Sequence, residues 1–250
     1  MKLNKIAKII FFLILVLAIS AFFFHPKTRA IYLEKWYDFT SQQITPNSKE
    51  SIKAVLNSFE NIPFSKLDKA YLSFSKSDDP KYRKLLANTV YRKIYQADLF
   101  KKVVGDFRVI DFVVKDQYYQ KVLFNKEEYL YWLIDERLLF RILELQQALE
   151  KKGFDANAFW IRNGHRHPQK NDQVGGARSS RHLKGEAIDM VIQDINQDGK
   201  YTEEDKAIVY ELVDQKIIGN RGGVGRYPGS RTIHIDVRGK RARWDSYKRN

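Results

Sequence analysis

A single carboxylate inside an apolar segment is the strongest constraint on how this chain folds. Residues 187–192 are apolar apart from Asp189, and β-strand alternation sends its neighbours Ile188 and Met190 to the opposite face. A segment this apolar is typical of a buried strand, where an unpaired carboxylate is costly. The fold must therefore bring a partner to Asp189.

A second segment alternates in the same way. In residues 232–238 the two isoleucines and the valine share one face, which we interpret as core. The opposite face is polar and carries Thr232, His234, Asp236 and Arg238. This face is therefore a candidate site.

Histidine is the residue type that complements Asp189 in these segments. His182 precedes Asp189 in the chain, and His234 lies on the polar face of the second segment. Two imidazoles and one carboxylate suit zinc and leave a fourth position for water, which is the open arrangement of a catalytic site. The chain has no cysteine, which excludes thiolate zinc sites and thiolate catalysis.

These residues stand in a pattern that resembles a known family, the D-alanyl-D-alanine metallopeptidases, which share a fold with lysostaphin-type endopeptidases and the hedgehog signalling domain. The family signature Ser-x-His-x-x-Gly-x-Ala-x-Asp is matched at every fixed position, by Ser180, His182, Gly185, Ala187 and Asp189. Segments 163–168 and 174–177 are similar to upstream family motifs, and segments 223–227 and 234–236, with Trp244, to downstream ones. The resemblance spans residues 135–244, and a motif this dense is specific.

The resemblance implies a role for each matched residue. His182, Asp189 and His234 would ligate zinc, and Arg166 would bind a carboxylate or carbonyl oxygen of the substrate. Several branches carry an acidic base three positions before the second histidine, where this chain has Arg231. Asp236 is the expected substitute, as general base or as a residue that orients His234. Further substrate contacts are expected from Ser180, Tyr227 and Arg238.

Three neighbouring features receive secondary interpretations. Glu186 and His165 are the next candidates for the base. His165 and His167 are otherwise interpreted as surface loop residues, and the glycine-rich run 219–225 as a tight turn that lines the cleft.

The segment between Asp189 and His234 contains a motif with the spacing of a calcium loop. Oxygen-bearing side chains occupy positions 1, 3, 5, 9 and 12 of residues 194–205, with glycine at position 6, which resembles single dockerin-like loops. The predicted calcium ligands are Asp194, Asn196, Asp198, Lys200 through its backbone carbonyl, Thr202 and Asp205. The alternative is a polar turn in which Thr202 caps a helix that begins near Glu203.

The N-terminus predicts contact with a membrane. Lys2, Lys5 and Lys8 precede an apolar run over residues 9–24 in which Ser20 is the only polar residue. The run is short for a spanning helix of about 20 residues and long for a signal-peptide core of about 7–15 residues. Bulky residues follow it, which favours an uncleaved anchor over a removable signal peptide.

Net charge and hydrophobic periodicity give the predictions for the partners and domains of the chain. The net charge of +14 over 250 residues predicts attraction to polyanions such as nucleic acid, anionic lipid or acidic envelope polymers. Residues 1–30 are predicted to form the membrane segment, 31–104 a helical stalk or small helical region, and 105–250 the zinc peptidase domain. A helix over residues 135–151, followed by strands, predicts an α+β fold with a small antiparallel sheet flanked by helices.

These features predict an extracytoplasmic, membrane-tethered zinc peptidase that acts on peptidoglycan peptides, as a carboxypeptidase or endopeptidase of the D-alanine type. Zinc is the expected cofactor, with calcium in the loop 194–205. The alternative is a non-catalytic, zinc-stabilised module that binds wall polymer through its basic surface. A nucleic-acid partner is not expected, because a membrane signal precedes the body and no recognition motif accompanies the charge.

Overall fold

Short sheets and helices alternate along the chain in the structure, a computed structural model that describes residues 5–246. The helices of the first half are α1 (Lys5–Phe24), α2 (Pro26–Thr40), α3 (Lys49–Asn57), α4 (Lys69–Ser75), α5 (Pro80–Leu86), α6 (Val109–Phe112) and α7 (Gln117–Leu123). Those of the second half are α8 (Glu136–Lys151), α9 (Pro168–Gln173) and α10 (Glu203–Leu212), which continues into a π-helical turn, Val213–Ile217.

The strands form three sheets. A three-stranded antiparallel sheet contains β1 (Asn61–Pro63), β2 (Val90–Tyr95) and β5 (Tyr129–Trp132), and a hairpin contains β3 (Lys102–Val104) and β4 (Phe107–Arg108). The largest sheet has five strands, β6 (Phe159–Asn163), β7 (Ala187–Ile192), β8 (Gly223–Arg226), β9 (Thr232–Asp236) and β10 (Ala242–Asp245).

The five-stranded sheet has the order β10-β8-β9-β7-β6. All neighbours pair antiparallel except β10 and β8, which are parallel. This pair is parallel because β10 reverses direction after β9 but joins the sheet on the far side of β8. The predicted α+β fold is confirmed, and the predicted antiparallel sheet is correct apart from this edge pair.

The helix predicted over residues 135–151 is α8. The Asp135 carboxylate caps its first turn by accepting the backbone N–H of Arg137, at 2.9 Å. Gly153 ends it in the left-handed conformation, with φ +77°. The buried side chains along its inner face include Leu138, Ile142, Leu145 and Leu149, and each contributes roughly 1.5–3 kcal/mol by leaving water.

Residues 31–104, predicted as a helical stalk or small helical region, contain strands β1, β2 and β3 as well as helices. Strand β2 pairs with β5, with Arg92 opposite Trp132 and Tyr95 opposite Tyr129. One continuous hydrophobic cluster contains residues from Ala30 to Val237. Tyr91 and Tyr95 are spaced as on a helix but lie in a strand, because pairing with a distant strand outweighs so short a local pattern.

The N-terminal apolar run lies in α1, which is followed directly by α2. Within the described part of the chain, no helix combines the length and the apolar character that crossing a membrane requires. The anchor over residues 9–24 stays a prediction. Lys2, one of the basic residues that precede the run, lies outside the described residues.

The loop 194–205 is a polar turn that caps α10. Thr202 accepts the N–H of Glu204 at 3.2 Å, and the Asp205 carboxylate accepts the backbone N–H groups of Ile195, Asn196 and Thr202 at 2.6–3.2 Å. Both carboxylate oxygens of Asp205 accept backbone N–H groups, so the carboxylate is directed at the backbone of this loop.

The calcium prediction is not supported. Within residues 5–246, the acidic residues of this loop do not form a group of three that could hold a metal ion. This correction covers the predicted ligands Asp194, Asn196, Asp198, Lys200, Thr202 and Asp205. The alternative, in which Thr202 caps a helix from Glu203, is confirmed.

We expect Asp205→Ala to lower the free energy of unfolding by roughly 2–3 kcal/mol, because it leaves three backbone N–H groups, one of them buried, without their acceptor. Asp198→Ala is the control, since Asp198 is exposed; it should cost less than about 1 kcal/mol. Urea denaturation measures both. If calcium raises the stability of the wild type and Asp198→Ala removes that gain, the loop is a cation site after all.

The stability lost in Asp205→Ala should depend on pH. Burial would raise the pKa of Asp205, but backbone hydrogen bonds from Thr202, Asn196 and Ile195 outweigh it and hold the pKa below its usual value. A carboxyl group whose pKa is lower in the folded than in the unfolded state stabilises the fold at pH values above its unfolded pKa of about 4. This stabilisation is lost as the pH falls. The stability difference between wild type and Asp205→Ala should therefore shrink below about pH 4.

Candidate metal centre and cleft

The antiparallel pairing of β7 and β9 brings the predicted metal-ligand residues of these two strands together. Asp189 lies directly opposite His234, and Ala187 opposite Asp236. His182 approaches from a 3-10 turn, Arg181–Lys184, which ends at Gly185 with φ +65°. A Cβ at Gly185 would lie 2.2 Å from the carbonyl oxygen of Leu133, so this position in the signature requires glycine for both conformation and space.

Three donor atoms converge between these elements. His234 Nδ1 lies 2.8 Å from Asp189 Oδ1, and His182 Nε2 lies 3.3 Å from each of these atoms. Ligands on a tetrahedral zinc, at bonds of about 2.0–2.1 Å, lie roughly 3.3 Å apart. Two imidazole nitrogens and one carboxylate oxygen at these separations fit zinc, and all three residues are at least 95% buried.

The tautomer of His182 suits metal binding. Its Nδ1 lies 2.7 Å from the carbonyl oxygen of Gly164, which accepts only, so Nδ1 carries the proton. Nε2 then presents its lone pair to Asp189 and His234. Burial lowers the pKa of His182 despite the neighbouring Asp189 carboxylate, which favours the neutral form that ligates metal.

The two oxygens of Asp189 have separate functions. Oδ1 faces the imidazoles, whereas Oδ2 accepts hydrogen bonds from Arg166 Nη2 at 2.5 Å and from Asn163 Nδ2 at 3.0 Å. Burial would raise the pKa of Asp189, but His182 and His234 outweigh it and hold the pKa well below its usual value. The carboxylate therefore stays ionised and fixed in orientation.

Asp236 lies behind His234, on the opposite side of the imidazole from the donor atoms. Its Oδ2 lies 3.3 Å from His234 Nε2 and 2.5 Å from Arg238 Nη2, and its Oδ1 accepts the backbone N–H of Gly223. Burial would raise the pKa of Asp236, but hydrogen bonds from His234 and Arg238 lower it. Of the two roles predicted for Asp236, this geometry favours orienting His234 over acting as base.

A cleft of about 730 Å³ opens in front of the three donor atoms. All four predicted substrate contacts line it, namely Arg166, Ser180, Tyr227 and Arg238. Arg166 does more than predicted, because its guanidinium also holds Asp189. Among the described residues that line the cleft, Asp189 is the only carboxylate, whereas Arg162, Lys170 and Arg181 add positive charge.

Neither secondary candidate for the base lies in this cleft. Glu186 Oε2 pairs with Arg181 Nη1 at 2.9 Å and lines a different groove. His165 is 3% exposed and His167 4%, so both are buried and are not surface loop residues as predicted. They are buried because Tyr91 and Asp116, from elements earlier in the chain, pack over this loop.

The glycine-rich run 219–225 is only partly a turn. Its second part belongs to β8, where glycine gives space to two site residues. A Cβ at Gly223 would lie 2.2 Å from the Asp236 carboxylate, and one at Gly225 would lie 2.5 Å from the Trp244 ring. Trp244 thereby reaches His234, with ring centroids 5.1 Å apart, and forms a wall of the cleft.

Some contributors to the site were not predicted from the sequence. Asn163 holds Asp189, and Arg162, Lys170 and Ser230 line the cleft. Alternation along β6 is the signal that points to Arg162, because Phe159 and Ile161 are buried and Trp160 and Arg162 face outward. No local pattern identifies Lys170 or Ser230.

Comparison with known protein families gives a match. A family model described as Peptidase M15 matches residues 111–236. The matched range contains the three donor residues, Arg166 and Asp236, and it ends before β10. No curated protein and no solved structure matches the chain.

We expect the full chain to bind about one zinc ion, because residues 5–246 contain one three-residue donor set. His182→Ala and His234→Ala should each lose most of the metal and melt at a lower temperature in zinc, since bound metal stabilises the native state. Metal analysis after dialysis measures this. His25→Ala is the matched control, because His25 is exposed and lies outside the site; full zinc content in both site variants would contradict the assignment.

Proposed function

The chain belongs to the Peptidase M15 family, and on that premise we propose that it hydrolyses stem or cross-link peptides of peptidoglycan, as a D-alanine-type carboxypeptidase or endopeptidase. The family consists of zinc-dependent metallopeptidases. The observation that supports the proposal is the convergence of His182 Nε2, Asp189 Oδ1 and His234 Nδ1 at the floor of an open cleft.

The three donor residues would hold the metal. When bound there, zinc would supply Lewis-acid chemistry: it would polarise the scissile carbonyl and would lower the pKa of its bound water towards roughly 7. Arg166 and Asn163 keep Asp189 oriented, and the carbonyl of Gly164 and the carboxylate of Asp236 do the same for the two imidazoles.

Tyr227 is suited to act on the reacting carbonyl. It lines the cleft, and burial together with the Asp189 charge raises its pKa to about 12. Its hydroxyl is therefore protonated at neutral pH and available as a donor. We propose that it donates a hydrogen bond to the oxygen on which negative charge develops.

The charge of the cleft supports a substrate that carries carboxylates. Arg162, Lys170 and Arg181 line it together with Asp189 as the one carboxylate among the described lining residues. Arginine binds carboxylates through paired hydrogen bonds. Peptides with free carboxyl groups, such as the stem peptides of peptidoglycan, have the complementary charge.

A second function has support from one specific observation. The position at which several family branches carry an acidic base is Arg231, and no described residue of the cleft lining replaces that base. A zinc-stabilised module that binds wall polymer without hydrolysing it fits this observation. Metal-activated water without a dedicated carboxylate fits it equally.

Incubating the zinc-loaded full chain with purified peptidoglycan tests the proposal. We expect mass spectrometry to show released D-alanine or split cross-links, and His182→Ala to release neither. Asp236→Asn should bind zinc roughly 10–100-fold more weakly but hydrolyse when zinc is saturating, because the amide loses the negative partner of His234.

Two results would change the assignment. An Asp236→Asn protein that is fully loaded with zinc yet inactive would make Asp236 the base. A zinc-loaded wild type that sediments with peptidoglycan but cleaves none would make the chain a binding module.

We also propose that the chain acts on the extracytoplasmic side of the cell envelope, because the proposed substrate lies there. Protease added to intact cells, with the outer membrane permeabilised where one is present, should digest the chain and leave a cytoplasmic marker protein intact. Protection of the chain alongside the marker would place it inside the cell instead.

A further inference from the structure

The sheet face that carries the zinc ligands continues beyond them. Trp160 pairs with Val191, and Val191 pairs with Thr232, so these three residues form one row across β6, β7 and β9. This row lies two residues along the strands from Asp189 and His234, a distance of about 7 Å.

A groove of about 700 Å³ lies over this row. Arg162, Ser230 and Thr232 line both this groove and the zinc cleft. The two therefore form one continuous depression on the same sheet face. We call this second part the aromatic groove; its lining includes Trp160, Tyr201, Glu203, Ser230 and Arg231.

Two exposed aromatic side chains distinguish the aromatic groove. Trp160 is 49% exposed and Tyr201 is 60% exposed. The Tyr201 ring is stacked by Arg231, whose guanidinium carbon lies 3.9 Å from the ring centroid, and Arg231 Nη1 donates to Gln193 Oε1 at 3.2 Å. The ring is therefore fixed in place, and exposed apolar area of this kind is typical of binding sites.

Polar groups flank these rings. Glu203 has a side chain that is 78% exposed, and the hydroxyl residues Ser230 and Thr232 line the join with the zinc cleft. Aromatic faces beside hydroxyl and carboxylate groups match the chemistry of a sugar ring, which has an apolar C–H face and a rim of hydroxyls.

We propose that the aromatic groove binds sugar rings of the glycan strand to which the peptide substrate is attached. This inference rests on the proposed function for the identity of the attached peptide. It goes beyond that function by assigning a second ligand class, an N-acetylated amino-sugar polymer, to residues outside the metal centre.

The spacing of the two parts is consistent with one linked substrate. The backbone at Trp160 lies roughly 8–12 Å from the backbone at the zinc ligands on the sheet, because it is offset from them by two residues along the strands and by one or two strands across the sheet. An extended peptide spans about 3.3–3.6 Å per residue, so about three residues bridge this distance. A peptide bond in the cleft is thus within reach of a sugar in the groove.

Binding of an N-acetylglucosamine tetrasaccharide to the full chain tests the inference without requiring hydrolysis. Calorimetry should detect binding to the wild type. Trp160→Ala and Tyr201→Ala should each weaken it about tenfold, the loss expected for one ring contact. Trp160→Tyr, which keeps a ring, should retain most of the affinity. Trp36→Ala is the matched control, because Trp36 is 65% exposed on α2 and lies outside the groove.

An activity comparison separates this inference from the proposed function. Trp160→Ala should reduce kcat/KM about tenfold more on a glycan-linked peptide than on the same peptide without sugar. Equal reduction on both substrates, no tetrasaccharide binding by the wild type, or equal binding by the Trp160 and Trp36 variants would overturn the inference. Tetrasaccharide binding that depends on Trp160, in a protein that cleaves no peptide, would uphold it while the peptidase proposal fails.

Discussion

The antiparallel register that sets Asp189 opposite His234 is the constraint on which the whole site depends. A slip of one residue would turn every side chain of β7 to the other face and remove the carboxylate from both imidazoles. Asp189 is buried, and its ionised state is compensated by His182 and His234 at one oxygen and by Arg166 and Asn163 at the other. The contacts that offset the free-energy cost of burying this charge also hold Asp189 in the orientation of a metal ligand.

The centre continues as a chain of alternating basic and acidic side chains. Arg166 contacts Asp189, Asp189 contacts His234, His234 contacts Asp236, and Asp236 contacts Arg238, with each link between 2.5 and 3.3 Å. Each carboxylate therefore has an arginine on one side and His234 on the other. This arrangement accounts for the low pKa of Asp236 and directs its negative charge at the histidine instead of at a substrate proton.

Segments that precede α8 support this centre from behind. Leu133, at the end of β5, packs against Gly185, and Tyr91 in β2 packs against His165. Burial lowers the pKa of His165 to about 3, so it stays neutral within this core. Tyr82 in α5 hydrogen-bonds to Asp172 in α9, which further connects the two halves. Tyr82 and Tyr91 lie outside the range that the family model matches, so part of this support comes from segments that precede that range.

Local pattern in the sequence determined the strands β7 and β9, the ends of α8, the α+β class and the three residues that converge on a metal position. These features depend on neighbouring residues, because alternation and capping act over a few positions. Tertiary structure alone decided that Asp236 lies behind His234, that Arg166 holds Asp189, that His165 and His167 are buried, and that the Asp205 carboxylate accepts backbone N–H groups from the start of the loop 194–205. Tertiary structure also pairs β2 with β5, although the sequence predicted only helices in the segment that contains β2. The physical reason is the same in each case: which atom faces which partner depends on strand register and on packing between distant segments, and no local periodicity encodes either.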